Sequence, residues 1–180
     1  MNAPADVRPL LRDAAPGDFP AIAAIYAHHV LHGAASFEET PPDLDELLRR
    51  HAAVHGHGLP WIVAELNGKV AGYSYATPYR PRAAYRYTVE DSIYIDESCR
   101  GLGLGRTLLE ALIARCESGP WRQMIAVIAD ARGGSLALHR SLGFEMVGTL
   151  HAVGFKHNEW RDTTLMQRAL GSGSNTVPAA

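Results

Sequence analysis

The feature that most constrains this 180-residue chain is a strand, a glycine-rich loop and a helix that follow one another past mid-sequence. Residues 85–96 are rich in Tyr, Thr, Val and Ile, a composition that favours a central β-strand. The loop reads Arg100-Gly101-Leu102-Gly103-Leu104-Gly105-Arg106-Thr107, and the residues at helical spacing after it are Leu108, Leu109, Leu112, Ile113 and Cys116. A helix that begins after such a loop presents backbone N–H groups and its positive dipole end to anions. The unit therefore predicts a phosphate-binding loop.

The glycines alone leave several kinds of loop open. A Walker loop needs Gly-x-x-x-x-Gly-Lys-Ser/Thr, whereas here the spacing is one residue short and an arginine replaces the lysine. A dinucleotide fingerprint, Gly-x-Gly-x-x-Gly, belongs near the start of a βαβ domain, whereas this run is Gly-x-Gly-x-Gly and follows several strands. A tight turn that binds no ligand is the third alternative. Both nucleotide motifs fit poorly. The loop could still bind the pyrophosphate group of another ligand.

The rest of the chain indicates one mixed α/β domain over residues 1–170. Strands are predicted at residues 61–66, 70–76, 124–129, 146–151 and 164–167, and helices after Asp18, after residues 40–43 and over residues 135–142. Asn67-Gly68 suits the tight turn of a hairpin. Residues 171–180 have little to bury, so a disordered C-terminal tail is expected.

Composition argues against several classes of protein. A net charge of -2 gives no electrostatic reason to bind nucleic acid. The first residues lack the pattern of a signal peptide, and no apolar run is long enough to span a membrane, so a cytoplasmic protein without a membrane partner is expected. His51-x-x-x-His55-x-His57 lacks a cysteine or carboxylate that would complete a recognisable metal site. No metal is therefore expected.

Further motifs extend over nearly the whole chain, from about residue 10 to 170. Ile93-Tyr94-Ile95 precedes Arg100-x-x-Gly103-x-Gly105, and the others are Tyr-Arg-Tyr-Thr-Val-Glu at 85–90, Ser135-x-x-Leu138-His139-x-x-Leu142-Gly143-Phe144, and Gly154-Phe155-Lys156-His157 with Trp160 and Asp162. Together they resemble the GNAT superfamily of N-acetyltransferases. Within it they resemble the phosphinothricin and the methionine sulfone or sulfoximine acetyltransferases.

The resemblance implies an α/β (α+β) fold, with a mixed, mostly antiparallel, splayed sheet flanked by helices, and acetyl-CoA as co-substrate. Pantetheine would lie along β-strand residues 93–95 like an added strand. Arg132 stands where the family usually has an asparagine, and it could reach a phosphate instead. The expected acetyl-CoA contacts are Ile93, Tyr94, Ile95, Arg100, Gly101, Leu102, Gly103, Leu104, Gly105, Arg106, Thr107, Arg132 and Ser141.

The expected reaction is acetylation of the amino group of a small amino-acid-like substrate, which requires a base because such amines are mostly protonated near neutral pH. Glu90 matches the glutamate that has this role in the family, and it could act directly or through water. His139 is the candidate proton donor to the departing thiolate; a packed histidine is the alternative. Backbone N–H groups near Ile93 and Tyr94 could stabilise developing negative charge.

The expected substrate pocket includes Phe37, Glu38 and Glu90. The fork-shaped guanidinium of Arg80 or Arg82 is expected to bind the substrate carboxylate. Other amines remain open, namely a protein N-terminus, a lysine or an aminoglycoside, although an aminoglycoside favours an acidic pocket. A CoA-binding domain without chemistry is a further alternative, and the retained Glu90 argues against it. A homodimer is what the resemblance implies.

Overall fold

The computed structural model describes residues 8–129 and 134–178. Its strands are β1 (Leu10–Asp13), β2 (Trp61–Leu66), β3 (Lys69–Pro78), β4 (Thr88–Ile95), β5 (Gln123–Ile128), β6 (Glu145–Lys156) and β7 (Glu159–Ala169). Its α-helices are α1 (Phe19–His32), α2 (Leu44–Gly56), α3 (Leu104–Glu117) and α4 (Ser135–Ser141). The described strands form one sheet in the order β1-β2-β3-β4-β5-β7-β6, in which β4 and β5 are parallel and the other pairs antiparallel. The predicted mixed, mostly antiparallel sheet is confirmed.

Helices cover both faces of this sheet. Residues 61–64 of β2 are all buried, which requires apolar cover on each side. On one face α1 packs against β2, where the ring centroids of Phe19 and Trp61 lie 5.5 Å apart. On the other face Ser74 Oγ of β3 donates to the Leu108 carbonyl of α3 at 3.4 Å. We call these the α1 face and the α3 face of the sheet.

The sheet splays open between β4 and β5. Their pairing covers residues 88–90 of β4 and 123–125 of β5, and beyond Glu90 the two strands diverge. Asp96, just after β4, donates its N–H to the Ala71 carbonyl of β3, and backbone groups of successive residues point to opposite sides of a strand. The backbone groups of Ile93 therefore face the gap left by β5, whereas the Ile95 carbonyl lies 2.9 Å from His29 Nε2 of α1.

Several predicted elements are confirmed, and others need correction. The Asn67-Gly68 hairpin is present, with φ of 50° and 77°. The helix after residue 40 begins at Leu44 and is capped by Asp43, whose carboxylate accepts from Glu46 N–H at 2.8 Å. Asp18 precedes α1 but does not cap it, because its carboxylate instead accepts two hydrogen bonds from Arg12.

Strand lengths depart most from the sequence pattern at the two ends of the chain. The four-residue β1 is missing from the prediction, because it is too short to show alternation. β6 and β7 are longer than predicted, and register shifts between Leu150 and Gly154, with Ala152 at φ 52°, interrupt the alternation of β6. β4 begins at Thr88 rather than at residue 85 because residues 83–85 form a 3-10 turn.

A further finding concerns the C-terminal end of the described chain. After β7, residues 171–176 form turns and bends, and Arg122 Nη1 donates to Thr176 Oγ1 at 3.1 Å. The single-domain boundary and the disorder of the tail remain predictions.

Of the helices within the described ranges, none combines the length and the apolarity that crossing a bilayer requires.

Candidate active site

A cavity of about 300 Å³ occupies the gap where β4 and β5 separate. It is lined by residues 35–37, 90–94, 126–129, Ser135, His139 and Thr163. These residues come from the loop after α1, both diverging strands, α4 and β7. The cavity thus brings together Phe37, Glu90, Ile93, Tyr94 and His139, all of which the sequence predicts as site residues.

Glu90 is the last residue of β4 that pairs with β5, and on the other side of β4 it pairs with Thr77 of β3. Its side chain is half-buried on the α1 face. Burial raises the pKa of Glu90 to about 7, and the negative charge of Asp91 adds to the rise while Arg80 opposes it. A carboxylate with this pKa can accept a proton near neutral pH and release it again. The geometry therefore suits Glu90 to the role of a general base.

The glycine loop has the conformation of an anion-binding turn. Gly101 and Gly103 have φ of 79° and 78°, a region that side chains with a Cβ rarely adopt, and Gly103 directly precedes α3. A Cβ at either glycine would meet no described atom within 4 Å, so both backbones are open to a ligand. Gly105 instead packs on α4, since its Cβ would lie 3.3 Å from Leu138 Cδ2.

The side chains expected around acetyl-CoA differ in their availability. Arg106 already contacts Glu110 at 2.8 Å and Ser141 Oγ at 3.2 Å, and the Thr107 hydroxyl donates to the Gly103 carbonyl at 3.3 Å. Arg100 and Leu102 are exposed, whereas Leu104 and Tyr94 are buried and can contribute only through their backbone. Arg132 lies outside the described residues.

The loop after α1 is fixed by Ser36. Its hydroxyl lies 2.9 Å from Tyr26 Oη, and its carbonyl accepts from the buried Lys156 ammonium at 2.6 Å. Phe37, the next residue, lines the cavity, as predicted. Glu38 does not line it, because its carboxylate forms an ion pair with Arg50 of α2 at 2.6 Å.

Of the two candidate carboxylate clamps, Arg80 is the better placed. Its guanidinium lies over the rings of Tyr79 and Tyr85, at 5.0 and 5.9 Å from their centroids, and its charge acts on Glu90. Arg82 is exposed at the start of the following 3-10 turn. Neither side chain lines the cavity itself, so each would reach a substrate from its rim.

His139 is buried beside Asp91, and both line the cavity. Asp91, Ser36 and Lys156 were not predicted as site residues from the sequence. A signal for Asp91 was available: in a strand, two adjacent carboxylates such as Glu90 and Asp91 must face opposite sides of the sheet, so at least one of them is buried if both faces are covered. No sequence signal indicates the Ser36 carbonyl as a partner of Lys156, because 120 residues separate them.

Gly154 provides a test of the Phe37 wall. A Cβ at Gly154 would lie 2.4 Å from the Phe37 ring, so Gly154→Val must displace that ring. We expect a rise in the KM for the amine substrate with little change in the Kd for acetyl-CoA. Gly148→Val is the matched control, because Gly148 lies in the same strand and its Cβ would meet nothing within 4 Å. An unchanged KM in Gly154→Val would remove Phe37 from the substrate pocket.

Within residues 8–129 and 134–178, no three His, Cys, Asp or Glu side chains are grouped as a metal site. His51 and His55 contact each other edge to face with ring centroids 4.6 Å apart. His51 also packs at 4.8 Å from Phe19, so the histidine run takes part in helix packing.

Comparisons with known proteins agree with this geometry. Residues 22–144 match the family model described as "Acetyltransferase (GNAT) family". The chain is 58% identical to a phosphinothricin N-acetyltransferase of Alcaligenes faecalis, over 89% of this chain and 82% of that protein. It is 40% identical to an L-methionine sulfoximine/L-methionine sulfone acetyltransferase of Pseudomonas paraeruginosa, over 87% and 92%. A crystal structure of a GNAT superfamily phosphinothricin acetyltransferase from Sinorhizobium meliloti, in complex with AcCoA, superposes with a TM-score of 0.93 at 48% identity, covering 96% of this chain and 94% of that one.

Proposed function

Because this chain belongs to the GNAT acetyltransferase family, we propose that it transfers the acetyl group of acetyl-CoA to the amino group of a small amino-acid-like substrate. The substrates named for its relatives, phosphinothricin and methionine sulfoximine or sulfone, define the chemical class. One observation carries the proposal: Glu90, with a pKa of about 7, lies where β4 and β5 separate, at the cavity of about 300 Å³.

The described residues fit acetyl-CoA. The backbone of Ile93 faces the gap beside β4, where it can pair with the amide groups of an extended arm as a neighbouring strand would. Gly101 and Gly103 leave their backbone N–H groups open to a pyrophosphate at the start of α3. When bound, acetyl-CoA supplies an acetyl thioester, and CoA leaves as a thiol.

Glu90 provides for the proton of the substrate ammonium. Directly or through one water, it accepts that proton, so that the neutral nitrogen can form the new C–N bond as the C–S bond breaks. The second proton lost by the nitrogen balances the protonation of the departing thiolate. The proposal needs no metal, because these groups complete the proton balance.

Arg80 is proposed to hold the substrate carboxylate. We expect Arg80→Ala to raise the KM for the amino acid roughly 10- to 150-fold, the range of one lost charge-assisted hydrogen bond, with acetyl-CoA affinity nearly unchanged. Arg86→Ala, in the same exposed loop, is the control, since Arg86 donates to the Ala83 carbonyl and stacks on Tyr87. Equal use of the amino acid and its decarboxylated amine by the unaltered enzyme would contradict carboxylate recognition.

A thiol-release assay with acetyl-CoA tests the function itself. The panel holds phosphinothricin, methionine sulfoximine, methionine sulfone, free amino acids, a lysine peptide, an N-terminal peptide and an aminoglycoside. We expect turnover to concentrate on the amino-acid analogues. Turnover confined to the peptides or the aminoglycoside would reject the substrate class and retain the acetyltransferase chemistry.

A homodimer is also proposed. The edge strand β6 and the start of β7 expose apolar side chains that an edge strand in a monomer usually avoids. They are Met146, Val147, Leu150, Val153, Phe155 and Trp160, each about half exposed or more. A second copy of the chain is the occupant proposed for this surface. A cytoplasmic location, without nucleic-acid or membrane partners, likewise stays a prediction.

A further inference from the structure

Asp91 and His139 form a buried ion pair on the wall of the cavity. His139 Nε2 lies 3.0 Å from Asp91 Oδ2, and the two side chains are 4% and 3% exposed. Asp91 directly follows Glu90, but alternate residues of a strand face opposite sides. Glu90 therefore faces the α1 face with the proposed substrate pocket, while Asp91 faces the α3 face and meets α4.

The hydrogen bonds determine the protonation of His139. Nδ1 lies 2.7 Å from the Ser135 carbonyl, which can only accept, so Nδ1 carries a hydrogen. Nε2 faces a carboxylate, which also only accepts when ionised. Burial alone lowers the pKa of His139, but the hydrogen bond and charge of Asp91 outweigh it and the pKa is raised. These contacts fit an imidazolium, in which Nδ1–H donates to the Ser135 carbonyl and Nε2–H donates to Asp91.

Helix α4, which carries His139, also contacts the glycine loop. Ser141 Oγ accepts from Arg106 Nη1 at 3.2 Å, and Leu138 packs where a Cβ of Gly105 would lie. α4 therefore connects the glycine loop to β4 beside Glu90. We call the gap between these two points, where β4 and β5 separate, the acetyl-CoA slot. The ion pair is the polar contact between α4 and β4 in the described chain.

Other charged groups near the pair are few among the described residues. Cys116 of α3 faces Asp91; burial first and this carboxylate second raise the pKa of Cys116 to about 12, so it stays a neutral thiol. Asp91 Oδ1 is buried without a hydrogen-bond partner in the described ranges, so no other described group competes with His139. Asp91 and Arg80 are the charges that act on Glu90.

We propose that Asp91 is a positioning residue that, through a protonated His139, ties α4 to β4 and holds the acetyl-CoA slot in its binding geometry. This inference rests on the proposed acetyltransferase function. It assigns His139 a positioning role as well, in place of proton donation to the departing thiolate, because a donor that gives up either N–H breaks a buried contact.

Asp91→Asn tests the pair in three ways. In NMR titrations of the histidine side chains, with His139 assigned by its absence in His139→Gln, we expect the His139 midpoint to fall when Asp91 is replaced. In calorimetry we expect the Kd for acetyl-CoA to rise about tenfold. In assays we expect the acid limb of kcat/KM to move to lower pH, because one of the charges that raises the pKa of Glu90 is removed.

Asp162→Asn is the matched control, since Asp162 Oδ2 and His151 Nδ1 form an exposed pair of the same 3.0 Å length. It should alter neither acetyl-CoA affinity nor the acid limb. The double variant Asp91→Asn with His139→Gln replaces the ion pair by two neutral amides and keeps the protein testable if the single variant is unstable. We expect the double variant to regain acetyl-CoA affinity and most of kcat.

Three results would overturn the proposal. An unchanged His139 midpoint in Asp91→Asn, or a shifted midpoint with unchanged Kd and acid limb, removes the positioning role. A double variant that binds acetyl-CoA normally but has lost kcat shows that His139 is the proton donor. If the unaltered protein acetylates no amine in the panel, the proposed function fails, while titration and calorimetry still decide whether the pair shapes the slot.

Discussion

Glu90→Gln is expected to lower kcat near neutral pH by a factor of about 100 to 10,000, the usual contribution of a general base. Glutamine keeps the shape and hydrogen-bonding capacity of Glu90 but cannot accept the proton of the substrate ammonium. Acetyl-CoA affinity should be retained, because Glu90 lies on the α1 face of β4 and the glycine loop is separate from it.

The pH dependence makes this prediction sharper. With a Glu90 pKa of about 7, the unaltered enzyme should lose kcat/KM as the pH falls through 7, whereas kcat/KM of Glu90→Gln should follow the deprotonation of the amine itself. The deficit of the variant should shrink as pH approaches the pKa of the amine, because the free base then forms without help. The measurement is kcat/KM for both proteins across that range.

Stability provides a control for folding. The folded-state pKa of Glu90 lies above its ordinary value of 4.5. The free energy of unfolding therefore falls as the pH rises from about 4.5 to about 7, and this loss is complete above that range. Glu90→Gln should therefore melt no lower than the unaltered protein at pH 8. Glu145→Gln, at the exposed start of β6, should leave activity unchanged. A well-folded Glu90→Gln variant with most of its neutral-pH activity would falsify the base assignment.

Gly103→Val is expected to weaken acetyl-CoA binding roughly 10- to 150-fold, the equivalent of losing one charge-assisted hydrogen bond of about 1.5–3 kcal/mol. Gly103 has φ of 78° immediately before α3, where a β-branched residue is strained and its side chain stands where a phosphate would approach the backbone. Calorimetry with acetyl-CoA measures the change, and ATP and NAD should bind weakly to both proteins.

Backbone strain alone must be separated from this loss of binding. Gly58→Val is the matched control: Gly58 has φ of 68°, its Cβ would also meet nothing within 4 Å, and it lies beyond α2, outside the proposed site. Both variants should lose similar thermal stability, but only Gly103→Val should lose acetyl-CoA affinity. Tight acetyl-CoA binding by Gly103→Val, or equal losses in both, would exclude the glycine loop as the pyrophosphate site.

Local signals in the sequence were enough for much of the fold. The Asn67-Gly68 turn, the amphipathic pattern of α3 and the glycines before it each act over a few residues, so their structures follow from nearest neighbours. The choice of Glu90 as candidate base rested instead on the resemblance to the family, in which a glutamate at this position has that role. Elements with weak or interrupted patterns, such as β1 and the bulged β6, were missed or shortened.

The sequence by itself determined the strand, glycine loop and helix and the likeness to acetyltransferases, and it singled out Glu90 as the candidate base. Only the tertiary structure decided which polar groups meet. Glu38 pairs with Arg50, Lys156 reaches the Ser36 carbonyl and His139 pairs with Asp91 across 48 residues of chain. The physical reason is that buried charges and donors take partners that folding brings near them, and no local pattern records a contact between distant segments.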